Sequence, residues 1–306
     1  MKVMVFDVGG TEIKYSVMDE QLHRTDSGAV PTPQDTQAQF LDTLYQLDAP
    51  HKDEVTGIAM ALPGFVDNRT GYVSNGGALL YNTATPVGQL LAEKCGCPVM
   101  LENDGKAAAM AELANGALKG CCNAAVFIIG TGVGGGIIAN GQLVRGVHFT
   151  AGEYSFVNTN AEAWDAPDQN MACQCSTRNL LKWYRTRKAL PEDAPLDGRS
   201  FFAAANAGEP EALEVLRRFC HAVAVQIFNL TVLLDVEKVA IGGGISKQPL
   251  LLESLRSAYD GLFASRAGQA YMEGLPRCQI VPCAFSSEAN QVGVAAAYFE
   301  AMQKKC

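Results

Sequence analysis

Three consecutive polar residues, Glu102, Asn103 and Asp104, are the side chains best suited to catalysis in this sequence. They follow an apolar run at 97–101 that is typical of a buried strand, and the alanine-rich segment after them favours a helix. Open α/β sheets bind ligands at the carboxyl ends of their strands, so Asp104 is a candidate general base. The alternative is that Asn103 or Asp104 only caps the helix, and on this stretch alone capping is the better supported interpretation. Lys106 points away from Asp104 at its helical spacing and is expected to be solvated or structural.

A glycine turn near the N-terminus could bind phosphate. Asp7, Gly9, Gly10 and Thr11 lie at the tip of a predicted hairpin whose first strand is 2–7. Glycines let backbone amides approach a phosphate closely, the threonine adds a hydroxyl donor, and Asp7 can hold Mg²⁺ directly or through water. The alternative is a plain hairpin turn without a ligand.

The same device recurs in the second half of the chain. Gly130, Thr131 and Gly132 lie at the tip of another glycine-rich hairpin, between a predicted strand at 122–129 and one that starts at Ile137. This weak internal repeat could clamp the phosphates of a nucleotide from two sides. The segment is not a Walker loop, because no Gly-Lys-Ser/Thr follows, and it is a poor Rossmann fingerprint, because a strand follows instead of a helix.

A third glycine turn follows a predicted strand at 236–241. Gly242, Gly243 and Gly244 would let a flat ring or a ribose lie against bare backbone. The alternative is a loop at the start of a helix with no ligand.

The remaining pattern supplies the elements that position these turns. The helix after Asp104 is predicted to end near Asn115 and Gly116, where we place a domain boundary, and a chain of 306 residues exceeds the usual size of one core. Apolar spacing predicts further helices at 36–47, 87–94, 200–207, 211–234 and 291–302, and a strand at 55–62.

Composition restricts the class of partner. The sequence is 48% hydrophobic and 18% charged, with a formal net charge of −8, so a broad nucleic-acid or anionic-membrane surface is not expected and the partner should be small. No segment resembles a signal peptide or a membrane span. The ten cysteines are scattered, which indicates reduced thiols and a cytoplasmic protein.

The order of these motifs resembles the sugar-kinase branch of the actin/hexokinase/Hsp70 superfamily, and most closely the ROK family. The resemblance extends over nearly the whole chain. It implies an α/β fold of two actin-like (ribonuclease H-like) domains around a central cleft. Those domains would be 1–118 and 119–306, with the last helix, 291–302, packing back on the first. Each motif is weak alone, but four in the family's order are specific, and they favour catalysis by Asp104 over capping.

The resemblance also implies an activity, the ATP-dependent phosphorylation of a sugar. Asp104 would take the proton from a sugar hydroxyl as it attacks the γ-phosphate, while Asn103 and Glu153 would hydrogen-bond other hydroxyls. Mg²⁺ would be held at Asp7. A homodimer is allowed, since family members are often dimers. The residues implied in ATP binding are Asp7, Gly9, Gly10, Thr11, Gly130, Thr131, Gly132, Gly242, Gly243 and Gly244.

The sequence departs from the family at its metal motif. Many members bind a structural zinc with one histidine and three cysteines, but no histidine follows Glu153 at the matching place. Cys173 and Cys175 remain, while Leu180 matches the third cysteine and Lys182 matches a glutamate. Two thiolates cannot complete a closed tetrahedral site, so we predict no structural zinc.

The same changes affect the predicted substrate. The lost histidine and glutamate are two expected sugar contacts, so the specificity of zinc-type glucokinases cannot be transferred to this chain. Relatives without zinc that carry the segment Glu-Asn-Asp-Gly-x-Ala-Ala, residues 102–108 here, resemble β-glucoside kinases. The expected acceptor is therefore a hexose, an N-acetylhexosamine or a β-glucoside.

Two other functions compete with a kinase. A decayed kinase that only binds sugar or nucleotide is one, although the retention of Asp7, Asp104 and the glycine turns argues against it. The other is a sugar-responsive transcriptional regulator, which would need a helix-turn-helix ahead of the kinase-like body. We expect none, because the first strand begins at Val3 and the charge is acidic.

Overall fold

The computed structural model describes residues 1–303, in which strands and helices alternate along much of the chain. The strands are β1 (Lys2–Val8), β2 (Glu12–Asp19), β3 (Arg24–Pro31), β4 (Ile58–Leu62), β5 (Phe65–Asp67), β6 (Tyr72–Asn75), β7 (Val99–Asn103), β8 (Ala124–Ile129), β9 (Val133–Ala139), β10 (Gln142–Val144), β11 (Lys238–Gly242) and β12 (Gln279–Pro282). The α-helices are α1 (Gln37–Asp48), α2 (Val87–Cys95), α3 (Asp104–Asn115), α4 (Met171–Gln174), α5 (Thr177–Arg187), α6 (Gly198–Asn206), α7 (Pro210–Leu234), α8 (Pro249–Ala264) and α9 (Ala289–Gln303).

Two five-stranded sheets repeat one topology. The first has the order β3-β2-β1-β4-β7, and the second has the order β10-β9-β8-β11-β12. In each sheet a central strand is antiparallel to its hairpin partner and parallel to the strand on its other side. The internal repeat that the two glycine-tipped hairpins predict is therefore confirmed, and it extends to the whole sheet.

The described chain divides into two compact units. The first consists of residues 1–116, 143–151 and the segment from 287, and the second consists of 117–142 and 152–286. Each unit has its own apolar core. The domain limits 1–118 and 119–306 remain a prediction about how the chain folds, and the short segment 143–151 is a part of the first unit that the sequence does not indicate.

The core of the first unit lies between its sheet and its helices. Met4 and Phe6 of β1 pack in one buried cluster with Phe40 and Leu44 of α1. The last helix, α9, packs against α3, β1 and β4, as the resemblance implies. This contact is close, because a Cβ on Gly293 would lie 1.8 Å from the carbonyl oxygen of Ala107.

The core of the second unit is organised by α7. Val215, Phe219, Val223 and Ile227 lie one turn apart and are buried, as their spacing predicts. Leu230 and Leu234, which continue the same stripe, are only partly buried.

Several elements have no clear signal in the sequence. The edge strand β3 is mostly exposed and polar, so it lacks the alternation of a half-buried strand. The apolar run at 97–101 becomes a strand only from Val99, and that strand continues through Glu102 and Asn103. None of the described helices is long and apolar enough to cross a bilayer.

Candidate active site

Asn103 ends β7 and caps the helix that follows. Its Oδ1 accepts the N–H of Lys106 at 3.0 Å, and its Nδ2 donates to the carbonyl of Gly64 at 2.9 Å. Asn103 is therefore the helix cap, and its part in sugar binding stays a prediction. An amide has two N–H groups and two carbonyl lone pairs, so Asn103 keeps one donor and one acceptor beyond these two bonds.

Asp104 is the first residue of α3 and is half-buried. Its Oδ1 accepts the N–H of the adjacent Gly105 at 2.7 Å. Because Asn103 already supplies the cap, Asp104 is not needed for that role. The positive end of the helix dipole favours a negative charge at this position.

The carbonyl that holds Asn103 comes from a turn that only glycine can form. Gly64 has φ +99°, and a Cβ there would lie 1.9 Å from the carbonyl oxygen of Asn75. The side chain of Asn75 in turn accepts the N–H of Gly77 at 2.8 Å. This loop therefore holds the side chain of Asn103 at the end of β7.

The residues flanking Asn103 and Asp104 are buried and charged. Glu102 is 1% exposed and its carboxylate accepts a hydrogen bond from Arg145 Nε at 2.7 Å. Lys106 is also 1% exposed, so of its two expected roles, solvated or structural, burial favours the structural one. The helix α9 packs against α3, a contact that a single sequence does not show, and the expected orientation of Lys106 away from Asp104 stays a prediction.

The first glycine hairpin carries a buried carboxylate at its base. Asp7 is 8% exposed, and its Oδ1 accepts a hydrogen bond from Nδ2 of Asn290 at 2.8 Å. Burial raises the pKa of Asp7, while the bond from Asn290 and the charge of Lys14 act in the opposite direction. A carboxylate that burial destabilises gains from a nearby cation, so this site fits Mg²⁺ or a Mg²⁺-bound water.

Other contacts fix the tip of this hairpin. Thr32 Oγ1 donates to the carbonyl of Gly9 and Gln34 Nε2 donates to the carbonyl of Gly10, both at 2.8 Å. No hydrogen bond within residues 1–303 uses the amide N–H of Gly10 or Thr11. Two adjacent amides at a glycine turn form a site that suits a phosphate oxygen.

The second hairpin has the same arrangement at its tip. Gly130 N–H donates to the carbonyl of Gly132, and Val133 N–H donates to Oγ of Ser155 at 3.0 Å. In the described chain the amides of Thr131 and Gly132 make no hydrogen bond. The two hairpin tips thus share a pair of adjacent amides without a hydrogen bond in the described residues, an arrangement that suits a phosphate oxygen, as well as a topology.

A cavity of about 620 Å³ opens beside this hairpin, within the second unit. Its volume is in the range of small-molecule sites. The lining residues that matter here are Gly130 and Thr131 of the hairpin, Gly244 of the third glycine turn, and Arg178 and Arg199 at two helix starts. The cavity therefore joins two of the predicted nucleotide-binding turns, while Gly242 and Gly243 lie just before Gly244 and do not line it.

Two helices begin at the wall of the cavity. Ser176 caps α5, as the sequence predicts, and Asp197 caps α6 in a capping box with Ser200. The hydrogen bonds from Ser200 lower the pKa of Asp197. Helix N-termini and guanidinium groups both favour an anion, so the cavity suits a ligand that carries phosphate.

Glu153 lies in the second unit, directly before the 3₁₀ turn Tyr154–Phe156, and is half-buried. The structure thus brings Asn103 and Asp104 together in the first unit and places Glu153 in the other. Its part in sugar binding stays a prediction.

The retained cysteines lie in different environments. Cys175 is fully buried and burial raises the pKa of its thiol to about 12, whereas Cys173 is partly exposed. Leu180, at the position matching a zinc-binding cysteine, is part of the core. Within residues 1–303 there is no group of three or more His, Cys, Asp or Glu residues arranged to hold a metal ion. The absence of structural zinc stays a prediction.

The sequence analysis does not identify four residues of these sites. Asn290 and Arg145 are isolated polar residues whose partners are distant in sequence, so only the fold reveals them. Arg178 and Arg199 follow the helix caps Ser176 and Asp197, and a search for cations just after a predicted cap could have found them.

Comparison with known proteins gives consistent matches. The sequence pattern described as ROK family matches residues 3–303. A β-glucoside kinase from Klebsiella pneumoniae is 30% identical over 257 residues, which are 84% of this chain and 86% of that protein.

Solved structures match over nearly the full length. A ROK family protein from Streptococcus pneumoniae TIGR4, in complex with sucrose, has a TM-score of 0.87 at 28% identity and covers 99% of this chain and 100% of its own. A ROK family glucokinase from Streptomyces griseus, in complex with glucose and AMPPNP, has a TM-score of 0.79 at 25% identity and covers 97% and 99%. The actin-like α/β fold that the motifs imply is confirmed by these matches.

Proposed function

We propose that this chain, which belongs to the ROK family, transfers the γ-phosphate of ATP to a hydroxyl of a sugar, with Asp104 as general base. One observation carries the proposal: the Asp104 carboxylate stands at the end of β7 and at the start of α3, while Asn103 takes over the capping of that helix. Because Asn103 makes the capping bond, the carboxylate of Asp104 can act as a base without loss of the helix cap.

Phosphoryl transfer depends mainly on how the reacting groups are positioned and how their charge is stabilised. Phosphoryl transfer proceeds through a loose transition state, so positioning and electrostatic stabilisation supply most of the catalysis. Asp104 would accept the proton of the attacking hydroxyl, and the donor and acceptor that Asn103 retains would orient the sugar ring. Glu153 is proposed as a further sugar ligand.

The nucleotide would use the glycine turns. We propose that the adenosine part occupies the cavity beside Gly130, Thr131 and Gly244, and that the charges of Arg178 and Arg199 at its wall favour the phosphates attached to it. The amides at the tips of the two hairpins would receive the phosphates.

Asp7 would hold Mg²⁺ through its second oxygen, directly or through water, because Asn290 takes the first. The metal, when bound, would neutralise charge on the phosphates. The remaining predicted contacts of the nucleotide are Gly9, Gly10, Thr11, Gly132, Gly242 and Gly243.

The acceptor is proposed as a hexose, an N-acetylhexosamine or a β-glucoside. The similarity to a β-glucoside kinase supports the last, and the neighbours in complex with sucrose and with glucose support a sugar in general. A panel of sugars from these three groups is therefore the right set for a first assay.

The test compares ADP release by the wild type and by Asp104→Asn, with ATP, Mg²⁺ and each sugar. We expect sugar-dependent ADP release that falls about 10²- to 10⁴-fold in the variant, the usual contribution of a general base. Asp260→Asn, the same change in an exposed ion pair with Arg277, is the control and should keep wild-type rates. Unchanged turnover in Asp104→Asn would refute the assignment. Thermal stabilisation by a sugar without any transfer would favour the decayed kinase.

A further inference from the structure

Arg145 forms an ion pair with Glu102, the residue directly before Asn103 and Asp104. Its Nε lies 2.7 Å from Oε2 of Glu102, and its Nη2 lies 3.6 Å from the sulfur of Met110. The other carboxylate oxygen, Oε1, accepts the backbone N–H of Asn103 at 3.1 Å. One guanidinium therefore contacts both the end of β7 and the side of α3.

The burial of the pair makes this contact specific. The side chain of Glu102 is 2% exposed and that of Arg145 is 28% exposed. A buried carboxylate is costly unless it is paired and hydrogen-bonded. A guanidinium presents its donors in a rigid plane, so two contacts at once fix its orientation, which a lysine ammonium could not do.

Arg145 belongs to a short segment, residues 143–151, that we call the strap. The strap is part of the first unit, although the chain on either side of it belongs to the second. The N–H of Ala151, its last residue, donates to the carbonyl of Arg145 at 3.2 Å. The guanidinium of Arg69 lies 4.6 Å from the ring centre of Phe149, which gives the strap a second contact with the first unit.

The strap leads directly to a proposed sugar ligand. Glu153 follows its last residue by two positions. Arg145 therefore lies on the chain that leads to one proposed sugar contact, and it pairs with the residue that precedes two others.

We infer that Arg145 is a positioning residue for sugar phosphorylation, which it supports by orienting the strand end at Asn103 and Asp104 through Glu102. This inference rests on the proposed function. Its loss should act on the use of sugar and not on the affinity for ATP, because its guanidinium contacts Glu102 and Met110, and neither is a proposed nucleotide ligand.

Arg145→Met tests this inference against a matched control. We expect kcat/KM for the sugar to fall about 10- to 100-fold, the effect of a small misplacement of reacting groups, while the KM for ATP stays unchanged. Arg187→Met removes the same kind of bond, from Nε to a glutamate Oε2 at 2.9 Å, but its pair with Glu214 is exposed, and it should keep wild-type kinetics. Wild-type kcat/KM for the sugar in Arg145→Met would overturn the inference, and so would a rise in the KM for ATP as large as the fall in kcat/KM for the sugar.

Two further variants separate positioning from simple loss of folding. Arg145→Lys keeps the charge and should fold, yet it should still lose sugar kcat/KM, since it lacks the rigid double contact. Glu102→Gln keeps an acceptor for the Asn103 amide, and adding Arg145→Met to it should cause little further loss in sugar kcat/KM if Arg145 acts through Glu102. Wild-type kcat/KM for the sugar in Arg145→Lys would contradict the inference. So would a double variant in which the losses of the two single variants add. Asp104→Asn, measured in parallel, tests the proposed function separately.

Discussion

At the level of single residues, the junction at Asp104 separates two roles that the sequence leaves combined. Asn103 makes the capping hydrogen bond to Lys106, and Asp104 accepts the N–H of its neighbour Gly105. The residue types and their order suffice to predict the candidate base. They do not predict which of the two side chains caps the helix, because that depends on the carbonyl of Gly64, which comes from a distant turn.

The pKa of Asp7 gives a prediction for stability. Burial raises the pKa above its ordinary value of 3.8, so the contribution of this group is favourable below that value and is lost as the pH rises through the pKa of the folded state. Without metal or nucleotide, Asp7→Asn should therefore unfold at a higher temperature than the wild type at pH 7. The advantage should shrink as the pH falls toward 4.

Thermal unfolding at pH 7 and near pH 4 measures this gain in stability. Kinetics should show a loss of activity in the same variant. The same variant should lose about 10- to 100-fold in kcat/KM for ATP with Mg²⁺, as expected when a group that supports a metal is removed. A variant that is less stable than the wild type at pH 7 would contradict the argument from burial, because Asn290 can still donate to the new amide.

Among the elements, those with a clear apolar period are the ones that sequence predicts. The long helix α7 follows from its buried stripe, whereas the hairpin strand β1 follows from a continuous run that is buried on both faces. The strand β3 is missed because it is a largely exposed edge, and the strap at 143–151 is missed because its place depends on an ion pair with Glu102. The spacing of apolar residues predicts which face of a helix or strand is buried. It does not predict which distant element packs on that face.

The contact between α9 and α3 gives a prediction at this scale. Gly293→Ala should destabilise the protein by about 1–3 kcal/mol, the usual cost of overpacking, because its Cβ would meet the carbonyl of Ala107. The same change should raise the KM for ATP, since α9 also carries Asn290, the partner of Asp7.

Gly261→Ala is the matched control for this change. Gly261 lies within α8, and a Cβ there has no neighbour within 4 Å. This variant should be stabilised by about 0.4–1 kcal/mol, because alanine restricts the unfolded chain. Chemical denaturation of both variants measures the two effects. Equal stability changes in the same direction would contradict the close helix contact.

For the whole molecule, two copies of one sheet topology carry different chemistry. The first unit presents Asp104 and Asp7, and the second contains the cavity lined by Gly130 and Gly244. The glycine turns make this duplication visible in the sequence, while the rest of the two sheets has diverged. The sequence does not name the sugar, because the residues that match the zinc-type sugar contacts are the ones that differ in this chain.

Direct detection of the product tests the central claim most closely. Wild type and Asp104→Asn are each incubated with ATP, Mg²⁺ and the sugar panel, and phosphorus NMR follows the γ-phosphate. We predict that the wild type converts it into a sugar phosphate ester only when an accepted sugar is present, and that the variant forms this ester about 10²- to 10⁴-fold more slowly. Release of inorganic phosphate in place of a sugar ester, or equal rates in the two proteins, would contradict the account.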